Sequence, residues 1–173
     1  FVRATSAVWL GDEAREIVHH LKYEGYTKLA DLAALRIAQN TRLVPPAATL
    51  VPIPLGARRR FERGYNQAEE IAVSLGEIWS LPVAKDVIRR LRETRTQTAL
   101  TPEERVQNVS SAFKAICPVI PAPKFAILVD DVFTTGATLA AAASALLDAG
   151  WGEVSAVTFA RAMPFAFRVE LQC

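Results

Sequence analysis

Phe125-Ala126-Ile127-Leu128-Val129-Asp130-Asp131-Val132-Phe133-Thr134-Thr135-Gly136-Ala137-Thr138-Leu139 decides the fold. Phe125 to Val129 is apolar and β-rich, bounded by Pro123 and by the two aspartates, which predicts a buried strand. Thr134 to Thr138 predicts a turn opening an alanine-rich helix that ends at Gly150, and Val154 to Phe159 predicts another strand. Strand, helix and strand in that order argue for βαβ units and a parallel sheet covered on both faces. Ligands in such sheets bind beyond the carboxyl ends of the strands. Here that end would carry two carboxylates and a Thr/Gly turn. Backbone N–H groups at a helix N-terminus attract phosphate, Gly136 lets the backbone come close, and the threonine hydroxyls add uncharged donors. An anion beside two carboxylates is best explained if sugar hydroxyls, a divalent cation, or both lie between them. The plainer alternative is a surface turn with acidic residues and a Thr cap.

Working outward, Leu50-Val51-Pro52-Ile53-Pro54 predicts a short buried strand ending at prolines. Gly56 to Gly64 is expected to be a basic loop carrying Arg58, Arg59, Arg60 and Arg63, followed by a helix capped by Asn66 and running to about Trp79. Val83 to Leu91 predicts a strand. Arg92 to Thr101 is polar and aperiodic, as in a mobile loop, and Pro102 then starts a short helix. Near the beginning, Val2 to Trp9 suits an edge strand, and helices fit Glu13 to Tyr23 and Leu29 to Gln39.

With 173 residues, 51% of them hydrophobic, the chain suits one compact domain and excludes intrinsic disorder. No stretch reaches the ~18 uninterrupted apolar residues of a membrane helix. Lys+Arg 20 against Asp+Glu 18 is too even to argue for nucleic-acid binding, so direct DNA contact through the Arg58–Arg63 patch is the weakest reading. Cys117 and Cys173 are the only cysteines, which excludes a zinc ribbon within these residues and suits reduced thiols in a cytoplasmic protein. Phe1 in place of a starting Met implies residues upstream. His19 and His20, neighbours on a helix, point about 100° apart and cannot chelate one metal.

The string from Ile127 to Thr138 resembles the phosphoribosyl-pyrophosphate (PRPP) signature of type I phosphoribosyltransferases: an apolar run, Asp-Asp, an apolar residue, any residue, then Thr-Thr-Gly-x-Thr. Val51-Pro52-Ile53-Pro54-Leu55 and Arg63-Gly64-Tyr65-Asn66-Gln67-Ala68-Glu69 extend the likeness to the ComF group of phosphoribosyltransferase-like proteins, associated with DNA uptake in competent bacteria. Leu21-Lys22-Tyr23-Glu24-Gly25, Gln97-x-x-Leu100, Glu104-Arg105 and Asn108-Val109 also fit that group. The cysteine-rich zinc module that full-length members commonly carry at the N-terminus is missing from these residues.

The resemblance implies an α/β type I phosphoribosyltransferase-like fold. Its parallel sheet would have about five strands flanked by helices, with a small hood from residues 1–45 and a flexible loop at 92–101. By the same resemblance Asp130 and Asp131 hold the ribose hydroxyls, and Thr134, Thr135, Gly136, Ala137 and Thr138 cradle the 5-phosphate. Ile53, Pro54, Leu55 and Gly56, with Arg58 behind them, form the pyrophosphate loop, although an arginine run by itself is a solvated face. Arg95 closes on the leaving group from the 92–101 loop, unless that segment is simply a hairpin tip. Lys22, Arg63, Tyr65, Asn66, Gln67, Gln97 and Arg105 match the family as further site residues; for Arg63 to Gln67 a purely structural role at the helix cap stays open. Mg²⁺ would arrive with the substrate, with Asp130 and Asp131 as its candidate protein ligands.

The implied activity is transfer of the phosphoribosyl group from PRPP to a nitrogen acceptor with release of pyrophosphate. The alternative is a non-catalytic PRPP- or nucleotide-binding module in a DNA-uptake or recombination assembly. Competence or recombination proteins and a second copy of the chain are the protein partners this leaves open.

Overall fold

The computed structural model describes residues 1, 3–23, 28–91, 112–115 and 125–163. A four-stranded, all-parallel sheet forms its centre, in the order β1-β6-β5-β2. These strands are β1 (Ala4–Trp9), β2 (Thr49–Pro52), β5 (Phe125–Phe133) and β6 (Glu153–Arg161). Two short strands, β3 (Ile88–Arg90) and β4 (Phe113–Ala115), pair antiparallel as a separate ribbon. Five helices are described: α1 (Asp12–Tyr23), α2 (Lys28–Asn40), α3 (Ala57–Arg63), α4 (Gln67–Trp79) and α5 (Ala137–Asp148).

Two cores follow from the alternation of side chains along β5. Ile127 and Val129 face Val18 and Leu21 of α1, Ala33, Ala34 and Ile37 of α2, and Ile71 and Leu75 of α4. Ala126 and Leu128 face Leu139, Ala142 and Leu146 of α5 on the other side. Each fully buried Leu or Ile contributes roughly 1.5–3 kcal/mol by leaving water, so both cores are substantial. Alanines 30, 33 and 34 leave α2 with a smooth buried face. Gly76 allows α4 equal closeness to the next segment: a Cβ there would stand 2.8 Å from Val83 Cγ2. Buried Thr158 is tolerated in β6 because its hydroxyl bonds Ser6 Oγ at 2.7 Å and lies 3.2 Å from the Ala160 carbonyl.

Several elements match the expectations and several correct them. The edge strand, the first two helices and the Asn66-capped helix are all present. Residues expected to form a hood supply β1, α1 and α2 to the sheet and its covering layer. The segment Gly56 to Gly64, expected as a loop, is the helix α3. Its Arg58–Glu62 pair spans one turn at 2.9 Å, and Gly64 ends it in the left-handed conformation at φ 76°. The strand expected over Val83 to Leu91 divides. Val83 makes a single parallel bridge to Leu50, and only Ile88–Arg90 is a strand, on the separate ribbon. That bridge is all that is described of a fifth strand on the main sheet. β5 continues past Val129 to Phe133, because β6 extends beside it and pairs Asp130 with Thr158 and Phe133 with Arg161. Cys117, Cys173, the 92–101 loop and the helix expected after Pro102 lie outside the described residues.

Candidate functional site

Asp130 and Asp131 stand near the carboxyl end of β5, flanked by β6 and β2. Successive strand residues leave the strand toward opposite faces, yet the two carboxyl groups stay close enough to act on one another. Asp131 follows Ile127 and Val129 toward α1, where its Oδ2 lies 2.8 Å from Lys22 Nζ; the two side chains are 6% and 25% exposed. Among the described residues no well-directed hydrogen bond reaches that oxygen, so the ammonium serves it as a counter-charge. Asp130 Oδ1 accepts from the Asp131 backbone N–H at 2.9 Å. Desolvation, and then the charge of Asp131, hold the Asp130 carboxyl well above its ordinary range, against the opposing pull of that N–H and of Lys22.

The turn after β5 is built for close approach. Gly136 has φ 78°, a left-handed conformation, and a Cβ on it would meet the Phe133 ring at 2.8 Å. Thr135 Oγ1 accepts from Ala137 N at 3.3 Å. The first turn of α5 carries no acidic residue and its N-cap, Gly136, has no side chain, so nothing charged competes with an anion at its opening amides. Thr134 and Thr135 are exposed, and Thr138 is half-buried. Arg161, which spacing did not flag, stacks its guanidinium over the Phe133 ring at 4.5 Å. The only signal for it in the sequence is its place at the end of the strand predicted next to the motif.

Ile53, Pro54, Leu55 and Gly56 leave the end of β2 next to β5, with Ile53 N bonded to the Val129 carbonyl at 2.9 Å. Asn66 secures this exit: its Nδ2 donates to the Ile53 carbonyl at 3.0 Å, and its Oδ1 accepts from Ala68 N at 3.1 Å as the α4 cap. Tyr65 Oη donates to the Leu21 carbonyl, and Arg63 lies over the Tyr23 ring at 5.1 Å while bonding Gln67 Oε1 at 3.1 Å. Lys22, far upstream in sequence, and the stretch holding Arg63, Tyr65, Asn66 and Gln67 therefore join the ends of α1, β2 and β5. Arg58 is not drawn into this group: it is highly exposed and bonded to Glu62, as Arg60 is to Glu69 at 2.7 Å. Arg95, Gln97 and Arg105 lie outside the described residues. An open cleft of about 510 Å³ between β1, α1 and α2, lined by Trp9, Asp12, Glu13, Leu32 and Arg36 among others, contains none of the motif residues.

Among the described residues no three His, Cys, Asp or Glu side chains gather as a metal cage. The donor set that remains is the aspartate pair, with one oxygen engaged by Lys22. That suits Mg²⁺, which keeps its waters and takes one or two carboxylates together with a ligand's phosphates.

No family model matches the chain. It is 33% identical over 130 residues to Competence protein F of Haemophilus influenzae, a match covering 75% of this chain and 57% of that protein. It is 31% identical over 141 residues to DNA utilization protein YhgH of Escherichia coli K12, covering 78% and 61%. Competence protein ComFC of Bacillus subtilis matches at 31% over 149 residues, covering 80% and 55%. The chain thus spans between 55% and 61% of the length of these curated relatives. With a parallel α/β sheet, an Asp-Asp strand end and this likeness over most of its residues, the chain belongs to the ComF family.

Proposed function

We propose that the carboxyl end of β5 binds PRPP and that the chain transfers its phosphoribosyl group to a nitrogen acceptor, releasing pyrophosphate, in a competence-related role. One observation carries this reading. Two carboxylates near the carboxyl end of β5 are followed, after Val132 and Phe133, by a left-handed glycine turn into a helix whose first turn has no acidic residue. Carboxylates accept from ribose hydroxyls, and the turn offers backbone amides and threonine hydroxyls to a phosphate.

Asp131, fixed by Lys22, would orient the ribose from the α1 face, and Asp130 from the α5 face. The Thr134–Thr138 turn would anchor the 5-phosphate, so the anomeric carbon is held between the two strand ends. Amides of Leu55 and Gly56, on the β2 exit secured by Asn66, would face the leaving diphosphate. Mg²⁺, when bound, would supply positive charge to that leaving group, with Asp130 and Asp131 as its protein ligands. No covalent nucleophile is required. The work of the chain's own residues is positioning and electrostatic stabilisation.

The names of the relatives, which speak of competence and DNA utilization, support the process and not the chemistry. A second reading is a PRPP- or nucleotide-binding module without turnover, serving a DNA-uptake or recombination assembly. It is favoured by Arg58, which pairs with Glu62 at 2.9 Å instead of lying free behind the diphosphate loop. The deciding experiment mixes the protein, Mg²⁺ and PRPP with a panel of bases and amines and measures pyrophosphate release. Acceptor-dependent release supports the transferase. PRPP binding without release from any acceptor moves the assignment to the binding module.

A further inference from the structure

The last turn of α1 is fastened at three consecutive residues, each by a group belonging to the candidate site. Tyr65 Oη donates to the Leu21 carbonyl, Lys22 Nζ sits 2.8 Å from Asp131 Oδ2, and Arg63 covers the Tyr23 ring at 5.1 Å. Tyr65 and Arg63 belong to the junction of α3 and α4, and Asn66 beside them holds the Ile53 carbonyl at the end of β2. This turn of α1 is therefore seated on the β2 side of β5. The Thr134–Thr138 turn instead leads into α5, which packs on the opposite face of the sheet. The Lys22 ammonium thus lies on the Asp131 face of the sheet, in the helix turn tied to the α3–α4 junction, and away from the cradle for the 5-phosphate.

An ammonium has three N–H donors, and Asp131 engages one direction only. The Lys22 side chain is 25% exposed while its partner is 6% exposed, so the cation remains reachable from solvent although the carboxylate is not. We propose that Lys22 is a ligand-binding residue that holds the diphosphate of PRPP, and not its 5-phosphate, from the Asp131 side of the site. The proposal rests on the reading of this strand end as a PRPP site. When ribose hydroxyls donate to Asp131, they take over part of what the ammonium supplies, and its charge becomes available to diphosphate oxygens beside the β2 exit. A lysine suits that exchange because its charge is compact and its donors rotate, whereas an arginine fork is fixed in one plane.

The test compares two ligands. PRPP with Mg²⁺ and ribose 5-phosphate are titrated by calorimetry into the wild type, Lys22→Met and Lys22→Arg, with thermal unfolding of each. Lys22→Met is expected to lose about ten- to a hundredfold in PRPP affinity, as for a charged hydrogen bond, while ribose 5-phosphate affinity stays within about twofold. Lys22→Arg is expected to recover most of the PRPP affinity. Tyr65→Phe keeps the cation but frees the turn that carries it. It should show a smaller loss confined to PRPP, and it serves as the test should Lys22→Met fail to fold. Equal losses for both ligands mean that Lys22 acts only by supporting Asp131, and they overturn the proposal, as does no loss for either. A wild type that binds neither ligand overturns the PRPP reading itself, and the assignment of Lys22 with it.

Discussion

Asn66 holds two parts of the chain with one amide: Nδ2 donates to the Ile53 carbonyl at 3.0 Å while Oδ1 accepts from Ala68 N at 3.1 Å. The side chain is buried, so neither bond is replaceable by water without a structural change. The same residue starts α4 and fixes the chain where it leaves β2, the strand that pairs with β5.

Asn66→Ala should therefore lower unfolding free energy by about 2–3 kcal/mol, combining a lost helix cap with a buried carbonyl left without its donor. Asn66→Asp keeps the capping acceptor and loses only the donor to Ile53, so an intermediate loss is expected. Denaturant midpoints at unchanged slope measure both. A wild-type midpoint for Asn66→Asp would show that the bond to Ile53 contributes nothing.

Gly136→Ala is expected to cost roughly 1–2 kcal/mol from its left-handed φ, plus the strain of a Cβ set 2.8 Å from Phe133 Cζ. Adding Phe133→Leu should relieve the crowding and leave the backbone cost. Thermal unfolding separates the two contributions, and ribose 5-phosphate affinity should fall in both variants. Full stability in the single variant would contradict the close approach of ring and turn.

Asp131→Asn should reduce PRPP affinity at least tenfold, a loss of about 1.4 kcal/mol or more, with a small change in melting temperature. The lost hydroxyl acceptor and the displaced Lys22 charge both act on the ligand more than on the cores. Calorimetry with Mg²⁺ checks this; unchanged affinity in a well-folded variant would remove Asp131 from the ribose contacts.

Asp130 sets a pH dependence. Burial raises its folded pKa above the unfolded value of about 3.9, so the folded state binds the extra proton. Its contribution to stability is full below the unfolded pKa and is lost as pH rises through the folded pKa. Asp130→Asn, which cannot ionise and keeps an acceptor for Asp131 N–H, should be more stable than wild type near neutral pH. The advantage should shrink as pH falls through the folded pKa and level off below about 3.9, where the wild-type carboxyl is protonated in both states. Melting temperatures across that range decide it, and a constant offset between the two proteins would mean that Asp130 titrates normally.

The central architecture was legible because β5, α5 and β6 each carry a periodic or continuous apolar signal. The extent of β5 was not: Asp130 and Asp131 look like the end of a strand until β6 is laid beside them, with buried Thr158 opposite Asp130. α3 was hidden for a different reason. It buries none of its residues and leaves Phe61 92% exposed, so it has no amphipathic pattern to find. The Asp-Asp to Thr-Thr-Gly-x-Thr motif was legible as a contiguous string, whereas the Lys22–Asp131 pair joins α1 to β5 across most of the chain, and no spacing rule connects them. Arg58 looked available as a bare arginine. Only the helix reveals that Glu62 lies one turn away.

The strand synthesised first among those described is completed by the last. β1 takes its place only by pairing Ala4 with Ala156 and Trp9 with Arg161. On a ribosome, α1, α2 and α4 can form while β1 still lacks the neighbour that holds it, and β6 must emerge before the edge closes. Closure of that long loop carries an entropic cost that local helix formation does not share. The slow step in folding is then expected to be the docking of β1 onto β6. A truncation before residue 153 would leave the first strand without a partner and its apolar face open to other chains.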